Sequence, residues 1–155
     1  MPDYHLRSAT LADADALVRH RVGMFTDMGT PIDAAALADA FHSWLSDAMF
    51  SGVYRAWVVE REAGEIVAGG GISILSWPPG PRDLRGRLPI VYNVYTEPGH
   101  RRRGLARMIM EAIHAWCREE GFKSVALAAS EFGRPLYESM GYEVSPQPYM
   151  FLGLE

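Results

Sequence analysis

The sequence predicts a mixed α/β domain, and three observations carry that prediction. Two helical periods lie back to back near the start, a β-rich hairpin follows them, and from residue 89 onward strand and helix patterns alternate. At 155 residues the chain has room for one domain, 1–155, since chains split into several domains only above roughly 250 residues. With 48% hydrophobic and 22% charged residues it is too apolar for disorder and buries a core. The net charge of -4 argues against a general nucleic-acid binder, which needs a basic face. The single cysteine, Cys117, forms no internal disulfide and supplies no zinc cluster. The opening residues lack the apolar stretch of a signal peptide, and the longest apolar-leaning run, 66–75, is broken by three glycines. A cytoplasmic protein with no membrane or nucleic-acid partner is expected.

Each element has its own signal. Tyr4 and Leu6 alternate with polar neighbours, so a short strand feeds a helix. Thr10 suits the N-cap of that helix, with Asp13 three residues later. Ala14, Leu17, Val18, Arg21, Val22 and Phe25 recur at helical spacing until Gly29 stops the run. Thr30-Pro31 is read as the start of a second helix, whose stripe is Leu37, Phe41, Trp44, Leu45 and Ala48. Residues 53–60 turn β-rich, 62–65 read as a hairpin turn, and 66–75 return as a strand that Gly69, Gly70 and Gly71 mark for a bulge or close approach. Residues 77–87, rich in proline, glycine and arginine, make the longest loop.

The second half alternates. Residues 89–97 are apolar on both faces, which predicts a central strand. Leu105, Met108, Ile109, Ala112, Ile113 and Trp116 give the clearest helical period in the chain, ended by Gly121. A strand over 124–129, a short helix over 132–140 closed by Gly141, and a last strand over 142–152 complete the order.

The chemistry concentrates between the strand at 89–97 and the helix after it. The segment Glu97-Pro98-Gly99-His100-Arg101-Arg102-Arg103-Gly104-Leu105-Ala106 points backbone N–H groups at one spot at a helix N-terminus, where the helix dipole adds partial positive charge. An anion belongs there. Gly104 lets a phosphate approach the backbone, Ala106 keeps the first turn narrow, and the three arginines add charge-assisted hydrogen bonds. Neither the nucleotide-triphosphate loop nor the dinucleotide Gly-x-Gly-x-x-Gly pattern is present, so the phosphate ligand is of another kind.

Arg101, Gly104 and Ala106, with Pro98 before them, resemble the pyrophosphate-binding signature Arg/Gln-x-x-Gly-x-Gly/Ala of the GNAT superfamily of N-acetyltransferases. Downstream, Leu136-Tyr137-Glu138-Ser139-Met140-Gly141-Tyr142 resembles that family's Leu-Tyr-Glu-x-x-Gly-Phe segment, in the right order and one helix and one strand away. The specific resemblance runs from Tyr92 to Glu143. It implies a central mixed, mostly antiparallel sheet of about 6–7 strands flanked by about four helices. It further implies direct transfer of an acetyl group from acetyl-CoA, as cosubstrate, to a primary amine of a small molecule or protein. No metal is expected. The absence of a Gly-x-Ser-x-Gly elbow agrees with a route lacking an acyl-enzyme, and Cys117 falls on the apolar stripe of Ile109 and Ile113 as a structural thiol.

The resemblance also implies roles. The pyrophosphate is held by Arg101, Arg102, Arg103, Gly104, Leu105 and Ala106. The strand backbone at Val94, Tyr95 and Thr96 pairs with the pantetheine arm by β-addition, Thr96 standing where the family usually has an apolar residue. Ser130 stands at a frequent cofactor-contacting asparagine, and capping of its own loop is the alternative. Tyr137 takes the place of the general acid, a phenol of reference pKa near 10 that stays protonated at neutral pH. The base that frees the acceptor amine is Glu97, ranked ahead of Asp27, or equally a water chain without a dedicated side-chain base. The acceptor is expected against Phe25, Asp27, Met28, Tyr92 and Asn93. None of the five histidines has a spaced partner, so surface or boundary positions are expected for all of them. The competing reading is a non-catalytic acyl-CoA sensor or partner-binding module. The superfamily often forms homodimers, for which the last strand or the early helices are the candidate surfaces.

Overall fold

The computed structural model describes residues 3–62 and 64–154. Its centre is a five-stranded sheet in the order β1-β2-β3-β4-β5, formed by Tyr4–Ser8, Tyr54–Arg61, Glu65–Ser76, Arg87–Thr96 and Ala126–Leu127. The first four strands pair antiparallel with their sequence neighbours, as hairpins allow. The fifth is parallel to β4, because the crossover from β4 to β5 carries a helix between them. Helices α1 (Ala14–Asp27) and α2 (Ala34–Ser51) cover one face, α3 (Leu105–Glu119) covers the other, and α4 (Arg134–Ser139) follows β5.

The pattern of apolar residues explains the layers. On α3, Leu105, Ile109, Met110 and Ile113 are fully buried against Trp57, Val59, Ile72 and Val91 of the sheet. Each such side chain contributes about 1.5–3 kcal/mol when removed from water, which fixes this helix firmly beneath β4. Across the sheet, Phe41, Leu45 and Ala48 of α2 pack with Leu17 of α1 on Tyr54, Ala56 and Val58. The Thr10 cap forms as expected: Thr10 accepts from the Ala12 N–H, and Asp13 accepts from the Thr10 N–H. Asp13 is buried and also takes a two-pronged contact from Arg7, whose Nε reaches Glu60. That network ties the start of α1 to β1 and β2.

Three expectations need correction. The second helix starts at Ala34 with Asp33 as N-cap, its carboxylate accepting from the Ala36 N–H, rather than at Thr30-Pro31. A carboxylate in reach of an open amide outcompetes the earlier threonine. The strand expected over 124–129 pairs only at Ala126 and Leu127, and none forms over 142–152 among the described residues, so the sheet has five strands instead of about 6–7. Pro146 and Pro148 have no N–H to give to a ladder, and among the described residues no strand pairs with this segment.

Candidate active site

The site is built around the second half of β4. Strand β5 pairs with β4 only at Ile90 and Val91, so among the described residues the edge of β4 that faces β5 is unpaired beyond Val91. The other edge keeps its partner, with Tyr95 opposite Gly69 and Thr96 opposite Ala68. Between Gly69 and Gly71 the register slips, so that Gly70 faces both Asn93 and Val94. This is a β-bulge at the glycine run, with Asn93 at φ +64°. The extra residue resets the alternation. Val91 and Val94 point to the α3 core, whereas Asn93, Tyr95 and Glu97 contact α1.

At the end of β4 the chain makes a short 3₁₀ turn, Pro98–His100, and enters the α3 N-terminus. Arg102 sits at φ +62° and Gly104 at φ +79°. Among the described residues, no backbone N–H from Arg102 to Arg107 has a protein acceptor, and the first bond of the helix is Met108 N–H to Gly104 O. Gly104 is the N-cap without a side-chain cap, and nothing lies within 4 Å of where its Cβ would stand. A row of free donors around open space at a helix N-terminus fits a pyrophosphate. Arg102 and Arg103 are exposed beside it. The side chain of Arg101 turns back instead: its Nε donates to Thr96 O, its terminal nitrogen pairs with Asp27, and its guanidinium lies over the Tyr95 ring. Arg101 therefore presents backbone, not charge, to the turn, and braces the turn against α1.

After β5, α4 carries Tyr137. Its ring packs against Gly133 and edge-on to Tyr142, and its hydroxyl has no hydrogen-bond partner among the described residues. Burial pushes its pKa above the ordinary phenol value, so it stays protonated well beyond neutral pH. Tyr142 anchors the end of this segment through a 2.7 Å hydrogen bond between its hydroxyl and Nε2 of His114. Ser130 Oγ accepts from the Gly133 N–H and so caps the α4 loop.

On the α1 face, Asn93 donates to the Tyr54 hydroxyl and accepts from Arg21, whose guanidinium lies over Phe25 and Phe41. Phe25, Asn93 and Tyr95 thus meet at the C-terminal half of α1. Gly23 is what lets them do so, since a Cβ there would stand 2.8 Å from the Tyr95 hydroxyl. Tyr92 and Met28 are exposed, and Asp27 is engaged by Arg101. Glu97 follows the last residue of β4 and faces the middle of α1, where it accepts from Arg19 at 3.0 Å and from His20 Nε2 at 2.9 Å. Burial works against its charge, but the two hydrogen bonds and the charge of Arg19 outweigh that, and its carboxyl titrates below the usual range.

His20 corrects the sequence reading, which placed every histidine at the surface or its boundary. It is 2% exposed. Burial lowers its pKa more than Glu97 raises it, so the ring is neutral and its Nε2–H donates to Glu97, leaving Nδ1 without a partner. Seventy-seven residues separate the two partners, and only the crossing of α1 over β4 brings them together. Arg21 was also missed as a site residue, because a lone arginine in a helical stripe gives no signal of what it will stack on.

The comparisons with known proteins agree with this geometry. Residues 52–144 match the profile of the acetyltransferase (GNAT) domain. No curated protein sequence matches the chain. Among solved structures, a GCN5-related N-acetyltransferase from Ralstonia eutropha is 32% identical, with a TM-score of 0.88 over 97% of this chain and 99% of that one. An acetyltransferase from Clostridium acetobutylicum, crystallised with acetyl-CoA, is 25% identical, with a TM-score of 0.85 over 97% of this chain and 96% of that one. An acetyltransferase from Trypanosoma brucei, at 22% identity, shares the fold with a TM-score of 0.73 over 98% of this chain and 100% of that one. This chain thus belongs to the GNAT acetyltransferase family, whose cosubstrate is acetyl-CoA.

Proposed function

We propose that the protein is an N-acetyltransferase acting on a primary amine, with Tyr137 as general acid. Bound acetyl-CoA supplies the activated acyl group. The backbone N–H groups of Arg102 to Ala106 hold its pyrophosphate, with the Arg102 and Arg103 side chains adding charge. The open edge at Val94, Tyr95 and Thr96 takes the pantetheine arm as an added strand. Ser130 shapes the far wall by fixing the α4 loop.

The observation that carries this reading is the Tyr137 phenol: half-buried, kept protonated, and without a partner for its proton among the described residues. A hydroxyl bound to a neighbouring acceptor would already have spent its donor, whereas this one is free to give a proton to a departing thiolate. Phe25, Met28, Tyr92 and Asn93 shape the acceptor side, and Asp27, through Arg101, links it to the cofactor turn. The ammonium proton leaves through water toward Glu97, which Arg19 and His20 hold ionised. The test is release of CoA thiol with a panel of small amines and amino-terminal peptides, products being identified by mass. Amine-dependent release with one acetyl group added at nitrogen supports the proposal. Saturable acetyl-CoA binding with no release for any amine would favour a sensor.

A further inference from the structure

Arg21 holds a half-buried positive charge that no carboxylate balances among the described residues. Arg7, Arg19, Arg85, Arg101 and Arg134 each meet a carboxylate within 3.0 Å. The Arg21 guanidinium instead lies over the Phe25 and Phe41 rings, 5.0 and 5.1 Å from their centroids. One terminal nitrogen donates to Asn93 Oδ1. Its Nε is buried without an acceptor, and its other terminal nitrogen makes no hydrogen bond among the described residues. Burial opposes the charge, and the groups that face it are two phenols, Tyr54 and Tyr92, rather than an acid. A guanidinium does not shed its proton to escape that cost, and the aromatic rings orient the cation without neutralising it.

The fold fixes this cation from three sides: Phe25 on α1, Phe41 on α2 and Asn93 at the bulge of β4. Asn93 is itself held, because its amide nitrogen donates to the Tyr54 hydroxyl. The guanidinium therefore needs little ordering when a ligand arrives, and it keeps donors to spare beside Phe25, Tyr92 and Asn93, the side chains that shape the acceptor side. A planar fork with unused N–H groups matches a carboxylate, which is planar, singly charged and able to accept two of them. A phosphate dianion calls for a second cation, and no other basic group acts on Arg21 among the described residues.

We infer that Arg21 selects the acceptor by taking its carboxylate, so that the substrate is a free amino acid rather than an uncharged amine. The reaction in this inference rests on the acetyltransferase reading above; the substrate class rests on the unbalanced guanidinium. Each candidate amine is then held at two ends, its carboxylate on Arg21 and its nitrogen toward the acetyl group.

The test measures kcat/KM for CoA thiol release with the protein amino acids, β-alanine and γ-aminobutyrate, and with the carboxamide of each, which keeps the amine and removes the negative charge. In the native protein at least one acid should exceed its carboxamide by about tenfold to 150-fold, the worth of a hydrogen-bonded charge. In Arg21→Met that ratio should collapse to about one while acetyl-CoA affinity holds. The ratio is internal to each sample, so a partly unfolded variant does not distort it. Should Arg21→Met not fold, Arg21→Lys replaces it, and the loss of the planar fork should lower the ratio several-fold. Carboxamides or peptide amino termini that react as well as any amino acid overturn the inference and leave the acetyltransferase reading standing, and an acid preference that survives in the variant also overturns it. If no amine reacts, calorimetry on the CoA-loaded protein with the N-acetyl derivatives of the same acids decides. Binding of those acids but not of their amides, lost in the variant, supports the Arg21 assignment while the reaction fails; no binding of the acids overturns it.

Discussion

Replacing Tyr137 by phenylalanine isolates the proposed acid. The hydroxyl has no hydrogen-bond partner among the described residues, so its removal leaves none of their donors or acceptors stranded. The ring contacts with Gly133 and Tyr142 survive in phenylalanine. Stability should therefore change by less than about 0.5 kcal/mol, and acetyl-CoA affinity should be unchanged. Turnover should fall by about 10²–10⁴-fold, the usual contribution of a positioned general acid. The pH dependence adds a second constraint. A phenol donates only while protonated, and burial raises this one above its ordinary value, so Tyr137 imposes no loss of activity between pH 7 and 9. Thiol release over that range, measured on both proteins at saturating acetyl-CoA, is the assay. A Tyr137→Phe protein with native turnover from pH 7 to 9 would refute the assignment.

Two further outcomes are expected. Glu97→Gln keeps a side chain that still accepts from Arg19 and His20 but removes the negative charge, so turnover should drop by about tenfold or more while acetyl-CoA affinity holds; native kcat at neutral pH would hand the proton transfer to water alone. Asp13→Asn breaks the contact with Arg7, and about 1–3 kcal/mol of stability should go with it at pH 7. The hydrogen bond from Arg7 lowers the folded pKa of Asp13, so its contribution is present above the unfolded value near 4 and disappears as pH falls through the lower folded value. Denaturant midpoints of the two proteins should converge below pH 4, and a gap as wide at pH 3 as at pH 7 would contradict this.

What could be read from the sequence was local. The period of α3, the Thr10–Asp13 cap and the turn into α3 each occupy a few consecutive residues, and each forms where expected. The glycine run in β3 pointed to a bulge, and the bulge is there. It could not say which residues of β4 the bulge would turn toward α1, because that depends on pairing across about 24 residues of intervening chain. The pairing of His20 with Glu97 and the backward turn of Arg101 onto Asp27 join positions more than 70 residues apart, and neither partner has a local signature. The last expected strand failed for a related reason. A strand is defined by its neighbour, and the pattern of Tyr149 to Leu154 shows a capacity to pair without naming the partner.

Titration of acetyl-CoA into the native protein and into Gly104→Glu, by calorimetry, tests the cofactor site most directly. Gly104 lies at φ +79° in open space amid the free N–H groups, so a glutamate there strains the turn and sets a negative charge at the proposed pyrophosphate position. Two like charges about 5 Å apart repel by about 1–3 kcal/mol for an effective dielectric between 20 and 80, so affinity should fall by about fivefold to 150-fold. Saturable binding by the native chain that is lost in the variant is the predicted result. No binding by a folded native sample, or equal binding by the variant, would contradict the placement of acetyl-CoA on this turn.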